Sequence, residues 1–148
     1  VGSSFLPGEL IAAFLWAQLE EAEQITKDRL AIWQRYHELL QPLELQGFLR
    51  RPIIPADCQH NAHMYYVLLA PEIDRRHVLA ELKRNDINAV FHYVPLHTSP
   101  GGRRYGRTHG DLTVTEEHSE RLLRLPLWHG LSLQQQERIV KTLHNAVT

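Results

Sequence analysis

Ten of the 148 residues are histidine, an unusual share for a chain this long. Two of them, His92 and His97, fall in one short stretch with Tyr93, and Arg103 and Arg104 follow a Gly101-Gly102 pair. Imidazole gains and loses a proton near neutrality, so it can bind a polar substrate or pass protons. Arginine presents a planar fork of donors, and glycines let backbone N–H groups approach an anion such as phosphate. Residues 90–106 thus gather the side chains of a polar ligand site, although a solvated loop after a core strand would also be polar.

Other chemistries have weaker support. His60, His63, His109, His118 and His129 are spread along the chain, and HNAH and HYVPLH lack the helical i, i+4 framing of zinc hydrolases. A histidine-rich metal protein stays an alternative, but no metal ligands are assigned. There is no Gly-x-Ser-x-Gly elbow and no Gly-x-x-x-x-Gly-Lys phosphate loop. Cys58, the single cysteine, stands beside Asp57 without an evident activator and reads as an inert thiol. Lys27, Lys83 and Lys141 are the only lysines. Each falls in a predicted helix among polar neighbours, unlike a desolvated Schiff-base lysine. No catalytic residue is therefore assigned within the chain.

The elements that must position the site can be read from periodicity and breakers. Apolar residues from Leu10 to Leu40 recur near a helical period, and Pro7 suits the first helical position. A straight helix of that length would measure about 50 Å, so it bends near residues 20–24 or projects from its domain. Residues 43–59 read as irregular, with Pro52 and Pro55 as breakers. Met64 to Leu69 reads as a strand, and Asp74 as the cap of a helix running to Asn85 with Val78, Leu79 and Leu82 inward. Ile87 to Tyr93 is the second predicted strand; it breaks at Pro95 and Pro100 and ends in a turn at residues 101–104. Thr115 is expected to cap a helix over residues 116–123, with residues 125–128 extended. Ser132 and Gln135 match a capping box opening a last, amphipathic helix that carries Leu133, Ile139, Val140 and Leu143. The expected class is α+β: a long N-terminal helix (residues 1–41), then a small, mainly antiparallel sheet covered by helices (residues 42–148).

Composition sets the remaining bounds. With 43% hydrophobic and 22% charged residues, the chain reads as one soluble globular unit with a real core. A net charge of −1, and no basic stripe interleaved with aromatics, argue against nucleic acid. No apolar run approaches a membrane span. One cysteine excludes an internal disulfide and fits a reducing, cytoplasmic setting. Without an initial Met, and with a helix starting within seven residues, the chain reads as part of a larger protein.

Four blocks, in order and spanning nearly the whole chain, resemble the C-terminal part of the DegT/DnrJ/StrS family of pyridoxal-phosphate-dependent sugar aminotransferases. GSSFLPGELIAAFLWAQLE is similar to the family's Gly-x-Asn-x-Arg…Ala-Ala…Gln-Leu block, and AHMYYVLL to its small-domain strand following the histidine here numbered His63. HYVPLH is similar to the substrate-side Tyr-x-Pro-Leu-His loop, and RLPLWHGLS to the Leu-Pro-Leu segment before the last helix. The resemblance implies the small C-terminal domain of a fold-type-I enzyme. An upstream large domain would hold pyridoxal 5'-phosphate and the Schiff-base lysine. This chain would bind no cofactor and be inactive alone. The parent would be a homodimer moving an amino group from glutamate to a dTDP-4-keto-6-deoxyhexose. By the same resemblance, Tyr93 and His97, with their neighbour His92, face the sugar. Ser4 stands where the family's Asn reaches the cofactor phosphate of a neighbouring subunit, and Leu6 where the family has Arg. Arg103 and Arg104, read from their chemistry alone, are assigned to the diphosphate. The alternative from another class is a stand-alone α+β binding or oligomerisation module.

Overall fold

The computed structural model describes residues 6–148. Ser4 lies outside the described residues. The N-terminal helical run is divided in two. Helix α1 spans Glu9–Glu20 and α2 spans Ala22–Leu39. Between them Glu21 adopts φ −101° and ψ 8°, and its N–H bonds Leu19 O within the last turn of α1. Helix α1 begins after Gly8, an extended N-cap, so Pro7 stands ahead of the helix and is not its first residue. No residue of α1 is buried. By contrast, Ile32, Trp33, Tyr36 and Leu40 on or just after α2 enter the core, so the second half of the expected connecting segment packs with residues 42–148.

Residues 43–59 are more ordered than their prolines suggested. Pro42 sits in the first turn of a short helix α3 (Gln41–Leu45), where a missing N–H costs nothing. Gly47, at φ 83°, ends it: the Gly47 and Phe48 N–H groups donate to Glu44 O and Leu43 O. Strand β1 (Leu49–Arg50) comes at once.

The sheet is four-stranded and antiparallel, in order β1-β2-β4-β3. β2 is Tyr65–Leu69, β3 Val90–Phe91 and β4 Leu122–Leu125. Tyr65, Val67 and Leu69 face the core, and the register sets Tyr65 opposite Leu125 and Val67 opposite Leu123. Onto that face pack α2, α4 (Arg75–Arg84) and α7 (Leu133–Val147) through Tyr36, Val78, Leu82, Ile139 and Leu143. The whole matches the expected class: helices with a small antiparallel sheet. Asp74 caps α4 through Arg76 N, and Ser132 and Gln135 form the capping box of α7. Leu133 is exposed because it is the first residue of α7, ahead of the buried Gln136-Ile139-Leu143 stripe.

Gln136 is fully buried. Its amide donates to Ile32 O at 2.8 Å and accepts from Arg35 Nε at 2.7 Å, joining α7 to α2. A second polar tie fixes β1: the Arg51 guanidinium and backbone N–H both donate to the Glu44 carboxylate at 2.6 and 2.7 Å.

Three further boundaries differ from expectation. The strand expected over residues 87–93 pairs only at Val90–Phe91: in this register Tyr93 would fall opposite Arg121, which is helical, so β4 offers no further ladder beyond its first residue, Leu122. Helix α6 covers Thr113–Arg121 with Leu112 as N-cap and no side-chain cap, so Thr115 is inside it. The chain then turns extended at Leu122, earlier than expected, because Leu123 and Leu125 must reach the core face beside Val67 and Tyr65. Residues 126–128 lie beyond the strand.

Candidate functional site

The residues singled out for chemistry sit where the edge strand β3 leaves the sheet. After Phe91 the backbone has no strand partner. It folds locally into a 3-10 turn (Leu96–Thr98) and a six-residue helix α5 (Pro100–Tyr105). Residues 101–104, expected to form a turn, are thus helical. Ser99 makes this possible: its hydroxyl accepts from Gly102 N at 3.0 Å as N-cap, and Pro100 supplies the first helical φ. Gly102 lies directly against the Leu96 carbonyl, a place with no room for a Cβ.

The helix separates the two arginines. Successive helical residues point about 100° apart. Arg103 faces a cavity of about 390 Å³ bounded by Arg75, Phe91, Tyr93, Thr98 and Glu116. Arg104 instead lies over the Tyr105 ring, 5.1 Å from its centroid. The histidines separate as well. His92 sits edge-to-face with Tyr93 at 4.8 Å and lines a second, more open and mostly apolar groove with Leu96, Val114 and His118. His97 turns inward, with only 14% of its side chain exposed, and its Nε2 lies 3.0 Å from Glu116 Oε1. Tyr93 borders both cavities. The structure thus joins Tyr93 and Arg103 at one cavity and places His92, His97 and Arg104 elsewhere.

Several lining residues had no signal in the sequence beyond their polarity. Arg75 crosses from the start of α4 to the end of α6, donating to the carbonyls of Ser119 and Leu122. Its guanidinium also lies 5.5 Å from the Phe91 centroid. Burial pulls its pKa down, and the carboxylates of Glu120 and Asp74 counter this. Two arginines (Arg75, Arg103) and two glutamates (Glu116, Glu120) line the cavity, a formal balance of charge. Three buried nitrogens lack a partner among the described residues: Arg75 Nε, His92 Nδ1 and Arg124 Nε. All three flank β3, since Arg75 lies over Phe91, Arg124 is opposite Val90 and His92 is next after Phe91.

The other histidines are dispersed. His60 packs edge-on against Trp33, the His63 ring approaches Asn61 Oδ1 at 3.1 Å, and His129 pairs with Asp28 at 3.1 Å. Among the described residues no three His, Cys, Asp or Glu side chains converge as metal ligands. Lys27, Lys83 and Lys141 are exposed on helices and line none of these cavities, so these residues do not fit a pyridoxal phosphate Schiff base. No described helix is long and apolar enough to cross a membrane.

The described residues thus form a small antiparallel sheet backed by helices, with a polar cavity at its edge strand. The family model of the DegT/DnrJ/EryC1/StrS aminotransferases matches residues 1–144, and the chain belongs to that family. It is 27% identical over 142 residues to dTDP-3-amino-3,4,6-trideoxy-alpha-D-glucose transaminase of Micromonospora megalomicea subsp. nigra, covering 95% of this chain and 37% of the relative. The crystal structure of a DegT DnrJ EryC1 StrS aminotransferase from Brucella abortus superposes with TM-score 0.77 at 27% identity, over 90% of this chain and 34% of that one. S. venezuelae DesV, solved with a ketimine intermediate, shares the fold with TM-score 0.80 at 23% identity, over 92% of this chain and 35% of that one. The chain therefore spans 29–37% of the length of the curated relatives it matches. It is homologous to pyridoxal-phosphate-dependent sugar aminotransferases.

Proposed function

We propose that the chain is the substrate-facing C-terminal part of a sugar-nucleotide transaminase. The parent enzyme moves an amino group from glutamate to C4 of a dTDP-4-keto-6-deoxyhexose. The product is dTDP-4-amino-4,6-dideoxygalactose, a precursor for lipopolysaccharide or enterobacterial common antigen. The blocks NAHMYY, AVFHYVPLH and ERLLRLPL resemble those of the transaminase that makes this product, which supports this acceptor. The cavity bounded by Tyr93 and Arg103 carries the reading. Its aromatic rim and balanced charges suit a polyhydroxylated ring, with Arg103 free to reach a phosphate at the mouth. His92 borders the same substrate from the groove side of Tyr93. Arg104 is available to the diphosphate only at the outer surface of α5.

Pyridoxal phosphate, the Schiff-base lysine and the transfer chemistry belong to a large domain outside these residues. Residues 1–41 connect that domain to residues 42–148. The exposed apolar side chains of α1, among them Leu10, Phe14, Trp16 and Leu19, support its role as the surface that meets the large domain. Ser4 contributes to the cofactor phosphate site of a second subunit in a cytoplasmic homodimer. Alone, the chain turns over nothing.

The test uses the polypeptide that joins this chain to its cofactor domain. Tyr93→Ala and Arg103→Ala should each raise KM for the sugar nucleotide about tenfold, the loss of one polar contact to substrate. KM for glutamate should be unchanged. An unaltered sugar-nucleotide KM in both variants would refute the assignment.

A further inference from the structure

The segment carrying Tyr93 and Arg103 has little to hold it. Its backbone hydrogen bonds are local: Thr98 and Ser99 N–H to Pro95 O, Arg103 N–H to Ser99 O, and Gly106 N–H to Gly102 O. Its short hydroxyl bonds are local too, with Thr98 Oγ1 donating to Pro95 O and Ser99 Oγ to Leu96 O. Tyr93, Leu96 and Tyr105 are all strongly exposed. Among the described residues, one side-chain hydrogen bond leaves residues 92–106 for another element: His97 Nε2 to Glu116 Oε1, at 3.0 Å. It is made by an imidazole with only 14% of its side chain exposed, between the strongly exposed Leu96 and the half-buried Thr98. Glu116 stands in the first turn of α6, where a carboxylate also complements the helix dipole.

We infer that Glu116 is a positioning residue of the site. Through His97 it clamps the 3-10 turn and α5 against α6, and so sets where Tyr93 and Arg103 meet the substrate. His97 then acts as the near half of this clamp and does not itself hold the sugar. A clamp of this kind is needed because β3 pairs over only two residues and cannot fix the segment beyond Phe91. The inference rests on the reading of the cavity as substrate-facing.

Two measurements test it. The first needs no substrate. Hydrogen exchange of residues 92–106 in this chain should quicken about tenfold in Glu116→Ala and in His97→Ala, as one charge-assisted hydrogen bond is lost. Glu116→Gln, which keeps the acceptor oxygen but loses its charge, should fall between Glu116→Ala and the unsubstituted chain. β2 should be unaffected. Unchanged exchange at 92–106, or equal quickening in β2, overturns the clamp. The second uses the polypeptide joined to its cofactor domain. Glu116→Ala and His97→Ala should each raise the sugar-nucleotide KM about tenfold, and the double variant no further, because one interaction is removed either way. Glutamate KM should not move. A double variant near the product of the singles, or a parallel rise in glutamate KM, overturns the inference. If Arg103→Ala raises the sugar-nucleotide KM and Glu116→Ala does not, the clamp alone is refuted. If neither raises it while exchange still quickens, the substrate reading is what falls.

Discussion

Replacing Gly102 with Ala sets two effects of known size against each other, and Gly101→Ala is its control. Both glycines lie in α5, so both variants gain helix propensity, at most about 1 kcal/mol. A Cβ on Gly101 meets nothing within 4 Å. A Cβ on Gly102 would penetrate the Leu96 carbonyl oxygen and stand 2.5 Å from its carbon and 3.0 Å from Ser99 Oγ. Those are backbone atoms and a capping hydroxyl, so relief requires the 3-10 turn to move off α5. Overpacking of this kind costs about 1–3 kcal/mol. Because the propensity gain is common to both, the difference between the variants isolates that cost. It corresponds to a roughly 5- to 150-fold change in the local opening equilibrium. Native-state hydrogen exchange at the Arg103 and Gly106 amides reads it directly, since both donate within this unit. Gly101→Ala should protect these amides slightly, and Gly102→Ala should expose them, with β2 unchanged in each. Equal protection in the two variants would refute the close packing of Gly102 on Leu96.

The packing sets three further outcomes. Gln136→Ala leaves the Arg35 guanidinium and Ile32 carbonyl without their buried partner, and should cost about 2–4 kcal/mol in urea unfolding. Burial raises the Glu44 pKa, but the Arg51 backbone N–H, guanidinium hydrogen bond and charge outweigh it and hold it below the ordinary value of 4.5. The folded state thus binds fewer protons there, so the stability is full above about pH 4.5 and lost as pH falls through the lower folded value. Glu44→Gln should flatten this limb of an acid unfolding curve. His37, stacked on Trp33 at 4.8 Å, has its pKa lowered by burial and by Arg51, against the pull of Glu44 and Glu38. Here too the unfolded chain binds the proton first, so stability should decline as pH falls below about 6.5. His37→Phe keeps the stack and should remove that decline in thermal unfolding between pH 7 and 5.5.

What the sequence revealed, and what it hid, divides along physical lines. Capping residues act within one turn, so Asp74 and Ser132-Gln135 were readable and mark the starts of α4 and α7. The β-branched and aromatic run at 65–69 was readable as a strand because it is buried and central. Residues 101–104 were not, since Gly-Gly signals a turn unless the preceding Ser-Pro caps a helix, as Ser99 and Pro100 do here. The difference reshapes the site: a turn would leave Arg103 and Arg104 together, whereas a helix sends one into the cavity and the other over Tyr105. The partners at residues 75 and 116 arrive from elements distant in sequence, and no spacing rule announces them.

The nakedness of α1 has a thermodynamic consequence. Its large apolar side chains, from Leu10 to Leu19, are at least half exposed and add little to the stability of residues 22–148. If five such side chains were covered, at about 1.5–3 kcal/mol each, the gain would be roughly 10 kcal/mol, similar to the whole stability of an ordinary domain. A twelve-residue helix is marginal in water on its own. The helicity of α1 and its burial are therefore linked equilibria: whatever covers this face also folds it. In the chain alone, helix content and melting temperature should rise with protein concentration, because one copy is then the nearest apolar surface for the next.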